Sequence, residues 1–311
     1  MSLVIDMVLA LSLVVLAWQT LIGRGLFRGL VMFVVFGLTL ALIWARLGSP
    51  DLAMAEAAIG TGVTAAMLMV AYWRLRRVVP QAAQEQEPRR PLLSAGLAAL
   101  AAVLFAAVGF STLTVLGPGG VAGYALAEAL PDTGLGNPIT GVLVVFRNLD
   151  TLLEVAVLLA AYAAARAAMG DDSAALPMPP AQDAPLVGAL VTVLVPLGIL
   201  MALYLFKAGS QAPGGAFQAG ALLAALAVVL LLAGRLRAAP QPGLWAGFGL
   251  IVGTVVFSII GVSVMALGQP LLAIPGMWAV YLIEAAMMVS IGVTLALLFS
   301  GSAGLGLGSR R

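Results

Sequence analysis

Cysteine and histidine are both missing from this 311-residue chain. Their absence excludes cysteine-held iron–sulfur clusters, histidine-held haem, the usual zinc sites and histidine-based catalytic triads within it. No catalytic residue, cofactor or metal site is therefore expected. Charge is scarce as well. Asp, Glu, Lys and Arg together make up 9% of the residues, against about 25% in an ordinary soluble domain. A net charge of +2 is too small to hold a phosphate backbone, so no nucleic-acid partner is expected. The alternating pattern of an outer-membrane barrel is lacking too. So are a basic leader and a small-residue cleavage site at the N-terminus, which reads as a retained first span.

What the chain has instead is apolar surface. Hydrophobic residues make up 62% of it, too many for a water-facing exterior to be covered by polar groups. Lipid is the alternative solvent, and a helix needs roughly 20 apolar residues to cross it. Backbone polar groups in hydrocarbon must be satisfied within the segment, so long apolar runs read as helices. Nine such runs fall at about 3–22, 29–45, 52–73, 92–115, 149–168, 186–206, 215–234, 244–266 and 277–299. The fold class expected is an all-α integral membrane protein of about nine transmembrane helices.

Two linkers punctuate the runs. Residues 74–91 are charged, Gln-rich and bounded by prolines, and residues 169–185 are rich in Asp and Pro. They divide the chain into three modules: three helices over 1–80, two helices with a long outer loop over 81–170, and four helices over 171–311. Basic residues orient the array. With the N-terminus outside and the C-terminus inside, 12 fall on the cytoplasmic side: Arg24, Arg28, Arg74, Arg76, Arg77, Arg89, Arg90, Arg166, Arg235, Arg237, Arg310 and Arg311. Only 3 fall outside, Arg46, Arg147 and Lys207, as the positive-inside rule requires. All five Trp lie near proposed helix ends, where aromatic belts form.

Ionisable groups inside spans are functional candidates by default. Glu56, Glu154 and Glu284 lie in the third, fifth and ninth spans, each one to two turns below the outer surface on this topology. One reading is a set of carboxylates that bind Na+ or relay H+; the other is that a Glu near a helix N-terminus complements the dipole. Around Glu56, Ser49 is a plausible cap, Pro50 and Asp51 begin a helix, and Gly60 and Thr64 share the glutamate's face. Gly60, Gly62 and Thr64 either make a small-residue packing face or allow a π-bulge that gates a water path. Arg147, Asp150 and Glu154 fall on one helical stripe, as a surface ion network or the mouth of an ion path. From Lys207 the chain reads KAGSQAPGGAFQAG. Pro213, Gly214 and Gly215 there suit either a tight interhelical turn or an anion-facing backbone.

These stretches resemble known subunits. SPDLAMAEAAIGTGVT resembles a helix of the D subunit of energy-converting membrane-bound hydrogenases and of the C-terminal part of the Mrp antiporter A subunit. NPITGVLVVFRNLDTLLEVAVL resembles the next region of that A subunit and the hydrogenase E subunit, with Val145, Asn148 and Leu153 departing from its usual Asp, Gly and Gly. APGGAFQAG, with LIEAAMMVSIGVTLALLF, resembles the Mrp B subunit and the hydrogenase F subunit, with Ser210 standing where that B-subunit motif usually has a His. The resemblance implies a D–E–F fusion in one polypeptide. It would be a non-catalytic membrane subunit of an Mrp-type Na+/H+ antiporter or a related redox-driven ion pump. Its partners would be other antiporter- or hydrogenase-type membrane subunits and the lipid bilayer, with Na+ or H+ as the ion, in a bacterial or archaeal inner membrane. A purely structural scaffold is the alternative. An independent transporter is a third, opposed by the lack of a convincing inverted repeat.

Overall fold

A computed structural model describes residues 2–22, 25–78, 91–115, 121–169, 185–239, 243–302 and 304–307. Most of both expected linkers, and Arg24, Arg89, Arg90, Arg310 and Arg311, lie outside the described residues. The rest is overwhelmingly helical, and each of the nine apolar runs coincides with a helix. Among the described residues, seven helices are long and apolar enough to cross a membrane, and Ala98–Thr112 and Ala216–Leu232 are shorter apolar stretches.

Helices α1 (Ser2–Ile22) and α2 (Leu26–Arg46) form an antiparallel pair, tied where Arg46 Nε meets Asp6 Oδ1 at 2.5 Å. Helix α2 ends at Gly48, whose φ of +74° turns the chain. The third run begins as α3 (Pro50–Ala55), widens into a π-helical stretch, π1 (Glu56–Val63), and returns to α-geometry in α4 (Thr64–Val78). Gly60, Thr61 and Gly62 are weak α-helix formers, and threonine hydroxyls support the wider turn. Thr61 donates to the carbonyl of Glu56 at 3.0 Å, and Thr64 to that of Ile59 at 2.7 Å, each five residues back. Ser49 makes no side-chain cap bond, contrary to the expectation from sequence; Pro50 at the first turn needs no N–H partner, and Asp51 is used elsewhere.

Helices α5 (Pro91–Val115) and α6 (Val121–Ala129) follow. Short α7 (Pro138–Thr140) is capped by Asn137, whose Oδ1 accepts from the Ile139 N–H at 3.0 Å. A second π-helical stretch, π2 (Gly141–Phe146), leads into α8 (Asn148–Met169). There the Arg147 N–H donates to the Val142 carbonyl at 2.8 Å and the Thr151 hydroxyl to that of Leu143 at 2.6 Å. Helix α9 (Pro185–Ala208) continues through Pro196 and is followed by the glycine-rich loop and α10 (Ala216–Leu232). Strand β1 (Leu236–Ala239) pairs antiparallel with β2 (Gly304–Leu307) at the chain's end, bracketing α11 (Leu244–Ser263) and α12 (Met277–Ser300).

Helix α12 is the centre of the core, packed by α10 on one side and α11 on the other. Glycines let the backbones close: a Cβ on Gly220 would meet Ile291 at 2.9 Å, and one on Gly253 would meet Ser290 at 2.8 Å. Val63 of π1 and Val155 of α8 enter the same buried cluster as Phe257, Ile283, Met287 and Ile291. Segments from all three expected modules therefore share one apolar core. The outer helices are the reverse: Leu100, Val103, Phe105 and Phe110 of α5 are exposed large apolar side chains, a surface suited to lipid or to neighbouring helices.

Candidate functional site

The polar groups of this apolar bundle converge where the loop after α9 crosses the start of α3. Gly209, Gly214 and Gly215 make that crossing possible. A Cβ on Gly209 would lie 2.5 Å from the Gly215 Cα, and one on Gly214 would lie 2.4 Å from the Leu205 carbonyl oxygen. Gly214 and Gly215 have φ of +156° and +124°, conformations that side chains disfavour. Pro213, Gly214 and Gly215 thus form a tight turn in which the Gly214 N–H faces a carboxylate, while the Gly215 N–H donates to the Leu205 carbonyl at 2.9 Å.

That carboxylate is Asp51, which is 5% exposed. Its Oδ1 accepts from the Gly214 N–H at 3.0 Å and from the Asn137 amide at 3.2 Å. The same amide donates to the Ala212 carbonyl at 3.0 Å. Gln218, in the first turn of α10, donates its amide to the Asp51 carbonyl at 3.3 Å. Thr140 donates to the Gly209 carbonyl at 2.6 Å, and the Gly136 N–H to that of Ser210 at 2.9 Å. Buried polar groups need such partners, because an unmade bond there costs about 1–3 kcal/mol. The junction ties one residue of α3, the loop before α7 and the loop before α10 into one network.

Glu284 lies beside it, two turns into α12 and 3% exposed. Its Oε1 lies over Gly215 at the start of α10, while its Oε2 is buried without a hydrogen-bond partner. One turn earlier, the Tyr281 hydroxyl lies 2.9 Å from the Lys207 ammonium and 3.0 Å from the Ser210 hydroxyl. Lys207 also sits 4.3 Å from the centre of the Tyr281 ring.

The other candidates stand apart. Glu56 is half-buried in a notch between two glycines: a Cβ on Gly60 of its own helix would lie 2.3 Å from Oε1, and one on Gly37 of α2 would lie 3.0 Å away. Gly62 is exposed and Thr64 half-buried. Arg147 and Asp150 pair at 2.5 Å on the surface, and Glu154 is exposed on the outer side of α8. Among the described residues, no three acidic, histidine or cysteine side chains gather as a metal site. The structure thus brings together Lys207, the Pro213–Gly215 turn and Glu284, and separates them from Glu154. Sequence reading missed Asp51 as a tertiary ligand, and missed Asn137, Gln218 and Tyr281. A polar Gln218 within the apolar α10 and the Asn137–Pro138 pair were the available signals.

The architecture is that of an all-α membrane protein with a buried polar junction. Residues 11–77 match the family MbhD, the D subunit of MBH, and residues 186–303 match MnhB, a domain related to the MnhB subunit of Na+/H+ antiporter. The chain therefore joins, in one polypeptide, a segment of the MbhD type and a domain of the MnhB type. Among solved structures it is similar in fold to a chain of the Mrp complex from Dietzia sp. DQ12-45-1b, with a TM-score of 0.75 and 21% identity. The similarity covers 96% of this chain and 34% of that one, so this chain spans about a third of its length. No curated protein matches the chain.

Proposed function

We propose that this chain is a non-catalytic membrane subunit of an Mrp-type cation/proton antiporter complex or a related redox-driven ion pump. The observation that carries the reading is the union of an MbhD-type segment and an MnhB-type domain around one buried polar junction. Residues 81–170 act as the intervening module of the hydrogenase E type, and Asn137 and Thr140 of that module bind the loop before α10. The bundle crosses a bacterial or archaeal cytoplasmic membrane nine times, N-terminus outside. Glu56, Glu154 and Glu284 are its ion-handling side chains. Arg147 with Asp150 and Lys207 flank them, and Gly60, Gly62 and Thr64 shape the π-helical segment beside Glu56.

Affinity purification of the tagged chain in mild detergent tests this directly. Antiporter-type membrane subunits should co-purify. If the chain purifies alone and catalyses cation/proton exchange by itself in liposomes, the subunit reading fails.

A scaffold role is the competing reading, favoured by the structural use of Asp51 and Asn137. Glu56→Gln, Glu154→Gln and Glu284→Gln separate the two. A carboxylate that only complements a helix N-terminus contributes about 0.3–1 kcal/mol, and Gln should then leave both assembly and transport intact. On the ion-handling reading, assembly persists and ion-coupled activity is lost in at least one variant, Glu56→Gln first.

A further inference from the structure

Glu284 is buried in a way that a permanently ionised carboxylate would not tolerate without more partners. Its Oε2 has no hydrogen bond, and the side chain is 3% exposed. Its Oε1 lies over Gly215. Gln218 spends its amide N–H on the Asp51 carbonyl, which turns its Oε1 towards Gly215. The position a Cβ would take on Gly215 is 3.4 Å from Glu284 Oε1 and 3.5 Å from Gln218 Oε1. A buried carboxylate oxygen without a hydrogen-bond partner is matched either by a proton or by a cation.

The surroundings select between these. Helix α10 runs for 17 residues and presents its N-terminal, positive end to the carboxyl group. The Lys207 ammonium stands on Tyr281, one turn away. A bound metal ion needs several oxygens at once, and over Gly215 the structure places one oxygen of Glu284 and one of Gln218. Asp51 on α3 already accepts from Gly214 and Asn137. On α8, Asp150 is paired with Arg147, and Glu154 is exposed. Helices α10 and α11 have no titratable side chain, and α9 brings only Tyr204 and Lys207. A proton needs a single acceptor and removes the charge that burial penalises.

We propose that Glu284 takes up and releases a proton, to the exclusion of Na+ and K+, and that Tyr281 and Ser210 connect it to the exposed Lys207 at the end of α9. The proposal deepens the reading of Glu284 as an ion-handling residue and rests on it. The proton resides on Oε2, the oxygen without a partner. Tyr281 and Ser210 each both donate and accept, so the pair can pass a proton from the Lys207 end. A metal ion moving there would pass the ammonium at close range.

Infrared pH titration of the full chain, purified with its accompanying subunits and held in lipid nanodiscs, tests this. A carboxylic-acid carbonyl band should titrate away with rising pH, be missing in Glu284→Gln, and shift in frequency in Glu284→Asp, which keeps the charge should the Gln variant misfold. Its midpoint should be the same in sodium, potassium and choline chloride at equal ionic strength. In Tyr281→Phe the band should persist, with its hydrogen–deuterium exchange slowed several-fold. A midpoint that falls as Na+ or K+ is raised, or the lack of any band traceable to Glu284, overturns the proton assignment. Unchanged exchange in Tyr281→Phe overturns the route. A Na+-sensitive midpoint would leave the subunit assignment standing, and if no subunit co-purifies the same titration on the full chain alone in nanodiscs still decides the proton assignment.

Discussion

At the scale of single residues, Asp51 shows how a side chain can serve a distant part of the chain while sitting in a helix's first turn. Its Oδ1 holds an amide 86 residues away and a backbone N–H 163 residues away in sequence. Removing the acceptor leaves the Gly214 N–H and the Asn137 amide buried with fewer partners. Asp51→Ala should therefore lose about 1–3 kcal/mol of stability, read as a lower unfolding midpoint in detergent. Asp51→Asn keeps an acceptor oxygen at the same place and should lose less. Equal losses in the two variants would mean that the carboxylate's charge, and not its acceptor geometry, holds the junction. Glu56 is the opposite case, a carboxylate folded against glycine with no room to spare. Alanine at Gly60 would put a methyl group 2.3 Å from its Oε1, and the flexible glutamate would give way. Helix propensity favours that substitution by about 1 kcal/mol. Gly60→Ala should keep stability or raise it while lowering ion-coupled activity, and full activity would detach Glu56 from transport.

At the scale of elements, the π-helical stretches and the glycine crossing do the positioning. A π-turn adds one residue to the helix without breaking it, so every side chain beyond π1 is rotated relative to a plain α-helix. Val63 is thereby carried into the core while Glu56 remains against α2. The crossing before α10 depends on backbone touching backbone. At Gly209 an added Cβ meets the Gly215 Cα at 2.5 Å, which no side-chain rotation relieves, whereas at Gly247 nothing lies within 4 Å. Gly209→Ala should lower the unfolding midpoint by several degrees, and Gly247→Ala should leave it unchanged or raise it slightly. Similar midpoints for both would mean that the loop relaxes freely and does not hold the junction.

For the whole molecule, the segregation of basic residues sets an expected orientation that cysteine labelling can check, because the native chain has no cysteine to interfere. A cysteine at Gln84 or Ser173, in the two linkers, should resist a membrane-impermeant reagent in intact cells and react after permeabilisation. Labelling of Gln84→Cys from outside would invert the arrangement. The exposed apolar faces of α1 and α5 bear on assembly. Side chains such as Leu3, Val14, Leu104 and Val108 remain outside this chain's core, a large surface left for lipid and neighbouring subunits.

The sequence alone determined the helical class, the position of each apolar run and which of those runs carry a glutamate. Those follow from local composition: a segment's preference for lipid is summed over its own residues. Even the π-helical turn at Glu56 was legible as one of two readings, because Gly60, Thr61 and Gly62 are poor α-formers side by side. Its counterpart at Gly141–Phe146 was not, since GVLVVF reads as an ordinary apolar run. Only the tertiary structure decided which glutamate is enclosed. Glu154 and Glu284 look alike in sequence, each acidic within an apolar helix, yet one is exposed and the other 3% exposed. Burial depends on which neighbour covers a helix face. In an apolar bundle whose faces are nearly all Ala, Gly, Leu and Val, composition does not distinguish the covered face from the lipid-facing one. That choice is made by close backbone approach at Gly209, Gly215, Gly220 and Gly253, and by hydrogen bonds between residues far apart in the chain.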